Sequence, residues 1–201
     1  MSRHALRPAL ALMVLLATLS GCASGPREPL RYFVLAAAPG PVATSRPSRP
    51  ATLLVVPTTA TAFYESQDIV FSRQPGVRAS YQFSHWTDPP STAVHAALVE
   101  QIEAARVFQI VVQAGRGMRG DLVLDTSLRE IYHDASSSPG TARIVLSAEL
   151  HDPVKRVLVA RKVFNVAAPA TSFDASGAVA GFRAALGQLG VQLTEWLAPL
   201  P

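Results

Sequence analysis

Three consecutive segments in the second half of the chain alternate apolar and polar side chains with a period of two. Leu122, Leu124 and Leu128 share one face of the first, with Tyr132 a candidate fourth member. Ile144, Leu146, Ala148 and Leu150 share one face of the second, and Leu158, Ala160, Phe164 and Val166 one face of the third. Successive side chains of a strand point to opposite faces, so each run predicts a strand with one dry side. The polar residues between them predict an antiparallel sheet covered on one face only. The period then changes. Val179, Phe182, Leu186, Leu189, Leu193 and Trp196 recur at three and four residues, which predicts a long amphipathic helix capped by Ser172 or Asp174.

The first half carries shorter signals. Arg31–Leu35 is rich in aromatic and β-branched residues and predicts a strand, as do Leu53–Val56 and Phe108–Val112. Asp68–Arg73 and Val77–Phe83 flank Gln74-Pro75-Gly76, a turn that predicts a hairpin. After Asp88-Pro89-Pro90, with Asp88 as the expected cap, Val94, Ala97, Leu98, Ile102 and Ala105 give a second amphipathic helix. Residues 38–50 hold four prolines and no core-forming side chain, and read as an exposed loop. The expectation is a single α+β domain over residues 30–201, a mainly antiparallel or mixed β-sheet with two principal amphipathic helices packed on it. The last helix also contains Gly177, Gly181, Gly187 and Gly190, each unfavourable by ~1 kcal/mol relative to alanine. Close packing on the sheet explains them, and a small-residue face between subunits of a homo-oligomer is the alternative.

The N-terminus follows a different rule. Arg3 and Arg7 precede about a dozen apolar residues, too few for a spanning helix of ~20, and small residues follow, the order of a cleaved secretory signal over residues 1–21. Cys22 is the single cysteine, so no internal disulfide can form. Leu19-Ser20-Gly21-Cys22 resembles the bacterial lipobox, which implies a chain cut before Cys22 and acylated there. Several acyl chains hold a protein on a membrane where one would be marginal. Ala23 stands where an inner-membrane retention signal has Asp, which by resemblance points to the outer membrane. Residues 22–29 then form a short tether. The 201-residue chain carries 18 Lys plus Arg against 14 Asp plus Glu, and two of the arginines belong to the signal. The remaining cations are scattered, so no nucleic-acid partner is expected.

Candidate chemistry is sparse. Gly115-Arg116-Gly117-Met118-Arg119-Gly120 matches GxGxxG, but strand-like Asp121-Leu122-Val123-Leu124-Asp125 follows where a phosphate site needs a helix N-terminus, so a hairpin loop is expected. His133-Asp134 and His151-Asp152 each end a strand before turn residues, which makes strand-end turns the expectation rather than a metal pair. No close set of His, Cys and carboxylates has metal-ligand spacing, and no Gly-x-Ser-x-Gly elbow is present. Neither an enzyme activity, a cofactor nor a metal is expected.

Tyr64, Asp68-Ile69-Val70, Arg73 and Tyr81-Gln82-Phe83-Ser84-His85-Trp86-Thr87-Asp88-Pro89-Pro90 form the informative middle. Together with the lipobox, Tyr32 and Leu35, Phe108 and Val111, and the late Trp196, this order resembles the auxiliary lipoproteins of ABC-type transporters, the family of paraquat-inducible protein C. The resemblance spans roughly residues 30–197, and the long 38–50 loop departs from it. It implies a periplasm-facing lipoprotein of the outer membrane that docks an MCE-domain assembly moving phospholipid between membranes. Phe63, Tyr64, Tyr81 and Trp86 are the candidate surface for the partner or for acyl chains, since aromatic residues dominate interface hot spots. Trp86 has a second reading as a core plug over the following helix. A lipoprotein regulator of a periplasmic cell-wall synthesis enzyme is the alternative function, and a lipid carrier in its own right is a third.

Overall fold

The computed structural model describes residues 28–38, 49–115 and 117–200. The expected signal peptide, Cys22, most of its tether and residues 39–48 of the expected loop lie outside these. The strands are β1 (Arg31–Phe33), β2 (Arg49–Val55), β3 (Thr59–Ala60), β4 (Asp68–Ser72), β5 (Ala79–Trp86), β6 (Phe108–Gln113), β7 (Leu122–Asp134), β8 (Thr141–Asp152) and β9 (Val157–Pro169). The helices are α1 (Pro90–Ala105) and α2 (Ala175–Leu197), with a 3₁₀ turn at Ala62–Tyr64.

All nine strands join one mixed sheet, and β7 is its spine. One edge of β7 pairs antiparallel with β8 along almost its whole length, and β8 pairs in turn with β9. The other edge is shared by three short parallel strands in series, β2 at Leu122–Leu124, β3 at Ser127–Leu128 and β4 at His133–Asp134. Beyond these, β6 adds parallel to β2, β5 antiparallel to β4, and β1 parallel to β5. The strand at Arg49 begins inside the expected loop, because its backbone reaches β6 at Phe108.

Three expectations are corrected by this pairing. The β7–β8 register slips between Leu128 and Glu130. One extra residue reverses the faces of a strand, so Ile131 and His133 continue the buried row and Tyr132 turns to the other side. Leu158 was expected inside but is 47 % exposed. A second register shift falls between Leu150 and His151, and Trp196 near the end of α2 already packs on Phe164, so the start of β9 runs past the helix. Finally, β6 and β7 do not form a hairpin: both run parallel to β2, on its opposite sides, with the Ala114 amide donating to the Val55 carbonyl and the Asp121 amide to that of Thr52.

Both helices pack on one face of the sheet. Asp174 caps α2, its Oδ1 accepting from the Gly177 amide at 2.8 Å and from Ser172 Oγ at 2.9 Å. Asp88 does not cap α1. Its carboxylate accepts from Thr87 Oγ1, and Pro89 stands at the cap with Pro90 in the first turn, where the missing N–H leaves no donor unpaired. The stripe of α2 is buried as expected through Val179, Phe182, Leu186, Leu189 and Leu193. Its glycines meet the chain's own atoms. A Cβ on Gly181 would stand 2.9 Å from Ala142 Cβ, and one on Gly190 would fall onto the Gln101 carboxamide of α1. The opposite face of the sheet carries ion pairs, Arg143 to Asp134 at 3.0 Å and Arg161 to Glu149 at 2.6 Å.

Candidate functional site

The four aromatic residues singled out in the sequence do not share one open surface. Trp86 ends β5, is 1 % exposed, and sets its indole edge-on to Phe182 of α2 at 5.6 Å. Its core reading is therefore the one the structure bears out. Tyr64 is also buried, and its hydroxyl accepts from Arg78 Nε at 3.3 Å, while the Arg78 guanidinium lies 3.8 Å from the Tyr132 ring centre. Phe63 is half exposed and leans edge-on against Tyr64. Tyr81 is half-buried between Phe71 and His133.

Tyr81 leads to the most unusual polar group in the fold. His133 is fully buried, and both ring nitrogens are engaged: Tyr81 Oη at 2.7 Å from Nδ1 and the Pro139 carbonyl at 2.9 Å from Nε2. The carbonyl can only accept, so Nε2 carries the proton and Nδ1 accepts from the tyrosine hydroxyl. Burial holds the His133 pKa below its ordinary value, against the opposing pull of Pro139, Asp134 and Asp174. Burial also pushes the Tyr81 hydroxyl up to about 12, with Asp174 adding to it. Tyr81, His133 and the Pro139 carbonyl thus form a continuous hydrogen-bond chain that engages both ring nitrogens. Gly140 permits it: its φ is 86°, and a Cβ there would meet His133 Nε2.

The remaining motif residues build turns. Asp134 accepts from the Ser136 hydroxyl and amide and pairs with Arg143, which together hold its carboxyl below the usual range. Asp152 accepts from the amides of Val154 and Lys155. The glycine motif after β6 leads into β7 without a helix, and the Thr52 amide donates to Asp121 Oδ2 at 2.8 Å to dock the loop on β2. Gly120 lies so close to Leu54 that a Cβ would stand 2.8 Å from its backbone nitrogen. Among the described residues no group of three or more His, Cys, Asp or Glu is placed to hold a metal ion.

One feature escaped the sequence reading. Leu30, Tyr32 and Val34 are 58 %, 60 % and 64 % exposed, on alternate positions at and beside the edge strand β1. The sequence marks residues 31–35 as a strand by aromatic and β-branched content, and because Phe33 and Leu35 are apolar as well, no alternation tells which row faces out.

The arrangement defines an α+β domain with two helices on one face of a mixed sheet. The chain belongs to the ABC-type transport auxiliary lipoprotein component family, whose model matches residues 33–194. Among solved structures it is similar to protein XCC0632 from Xanthomonas campestris, of the DUF330 family, at 25% identity and a TM-score of 0.71, covering 82% of this chain and 93% of that one. An uncharacterized protein shares the fold at 13% identity and a TM-score of 0.66, covering 85% of this chain and 99% of the other. No curated protein sequence matches the chain. No helix among the described residues is long and apolar enough to cross a membrane.

Proposed function

We propose that the chain is acylated on Cys22 and serves as a periplasm-facing, outer-membrane-anchored docking subunit of an MCE-domain, ABC-type lipid transport system, without catalysis of its own. The observation that carries this reading is the family match over residues 33–194 directly after a lipobox-like Leu19-Ser20-Gly21-Cys22. Ala23 in place of Asp supports the outer membrane. The internal engagement of both His133 nitrogens supports a binding role over a reactive one, because the histidine that the fold buries most deeply has no lone pair to offer a substrate. Phe63 is the member of the aromatic set with an exposed ring, and is the residue assigned to partner contact.

The test is in-cell photocrosslinking from Phe63, with Trp86 as a buried control, in cells that carry either wild-type Cys22 or Cys22→Ser. An adduct between Phe63 and an MCE-domain protein, lost when Cys22 is replaced, is the expected result. An adduct with a peptidoglycan synthase, or uptake of labelled palmitate by Cys22→Ser, would overturn it.

A further inference from the structure

The strip Leu30, Tyr32 and Val34 stands where the chain emerges from its tether. Three apolar side chains project from alternate positions of one extended segment, and their partners in alternation, Phe33 and Leu35, turn into the domain. The Tyr32 ring rests 5.8 Å from His85, which leaves most of it open. Tyrosine, with an apolar body and a polar tip, suits a boundary that is dry on one side and wet on the other.

The sheet topology says which end of the domain this is. β1 runs parallel to β5, β5 antiparallel to β4, and β4 parallel to β7, so β1 runs opposite to β7. Tyr32 pairs with His85 and His85 with Asp68, three residues before the Phe71 that pairs with His133, so the strip lies in the half of the sheet where β7 finishes and α2 begins, and Arg31 Nη1 reaches Ser176 Oγ at 3.3 Å. The β8–β9 turn, with Val154 86 % exposed, lies at the opposite end. At ~3.3 Å per residue, the stretch of β7 from the level of the strip back to Leu122 sets the two apart by ~25 Å or more along the strands.

Only residues 23–29 lie between Cys22 and Leu30, a span of at most ~25–30 Å even when fully extended. A contact too weak to hold alone is favoured when a tether keeps its partner within such reach. We infer that Leu30, Tyr32 and Val34 seat on the lipid surface of the membrane that holds Cys22, so that the domain has a fixed footing and turns the β8–β9 end away from the bilayer. This rests on the acylation of Cys22 proposed above.

Tyr32→Trp and Val154→Trp are each prepared as acylated full-length protein and reconstituted into vesicles of phosphatidylethanolamine and phosphatidylglycerol, with or without bromine high on the acyl chains. Wild type supplies the background from Trp86 and Trp196. Interfacial side chains lie ~5–10 Å into the boundary between headgroups and acyl chains, so the emission added at position 32 is expected to fall about twofold or more with bromine, and that at 154 to be unchanged. Equal responses at the two positions, with acyl mass found on the Cys22 peptide, overturn the footing and leave the anchor standing. Blue-shifted emission at 32 that bromine does not quench assigns the strip to a second copy and also overturns it. A Cys22 peptide without acyl mass removes the anchor and the footing together.

Discussion

Gly181→Ala sets two effects of similar size against each other. Alanine is the better helix former by ~1 kcal/mol, so an exposed site would gain stability. At Gly181 the new methyl would stand 2.9 Å from Ala142 Cβ, 3.1 Å from the Pro169 carbonyl oxygen and 3.3 Å from that of Ala168. Two of these are backbone atoms of a paired strand, and the third is a side chain with no rotamer to move. Carbon atoms prefer ~3.5–4.0 Å, so α2 must back off β8 by at least about half an ångström, which forfeits a quarter or more of the contact energy along its buried stripe. Overpacking destabilises by ~1–3 kcal/mol, and with two backbone oxygens in the way the upper half, ~2–3 kcal/mol, applies, which leaves a net loss of ~1–2 kcal/mol after the helix gain. For a domain of this size that lowers Tm by about 2–8 °C. Urea unfolding followed by tryptophan emission, with Trp86 on Phe182 reporting the same helix, measures it. The partner change Ala142→Gly removes the closest obstacle, and the double variant is expected to recover ~0.5 kcal/mol or more relative to the sum of the single changes. A Gly181→Ala protein as stable as wild type, with no coupling to Ala142, would refute the claim that this glycine exists for helix-on-sheet contact.

Truncating the buried indole in Trp86→Ala is expected to cost ~3–5 kcal/mol, seen as a large fall in the urea midpoint, whereas an interface role would leave stability near wild type. The depressed pKa of His133 makes stability depend on pH in a defined window: below the ordinary value of 6.5 the unfolded chain takes a proton that the folded chain refuses, so stability falls as pH drops from about 6.5 until the folded His133 itself titrates. For one proton the slope cannot exceed ~1.4 kcal/mol per pH unit, and His133→Gln is expected to flatten it while lowering stability at pH 8, as read from urea midpoints between pH 8 and 5. Asp174→Ala is expected to cost ~1 kcal/mol through the lost cap. The Gly177 amide holds the Asp174 carboxyl below its usual 3.8, so wild type loses this contribution only as pH falls past that value, and the variant is expected to show a shallower acid unfolding curve.

Much of the architecture was legible where its cause is local. The alternation in β8 and the three-and-four spacing in α2 survive in the fold because each element buries one face against a continuous neighbour. Tyr132 was misplaced because a single extra residue near Arg129 reverses the phase, and nothing in the side chains around it marks a bulge. The division of one edge of β7 among β2, β3 and β4 was not legible either, since each pairing joins residues more than sixty positions apart. The aromatic passage at 81–90 misled in another way. Tyr and Trp serve equally as core and as contact surface, and only the position of Phe182 shows that Trp86 is the former.

That division of β7 also sets an order of assembly. Closing a loop of sixty residues is entropically unfavourable before any contact rewards it, and long-range parallel pairing is slow for the same reason. Until β7 has been made, β3 has no partner and β2 has only β6, so the two outer pieces of the sheet, β1–β5–β4 and β2–β6, cannot be joined. The seventh strand therefore joins what the first six leave apart, and the domain closes only when the second half of the chain is present.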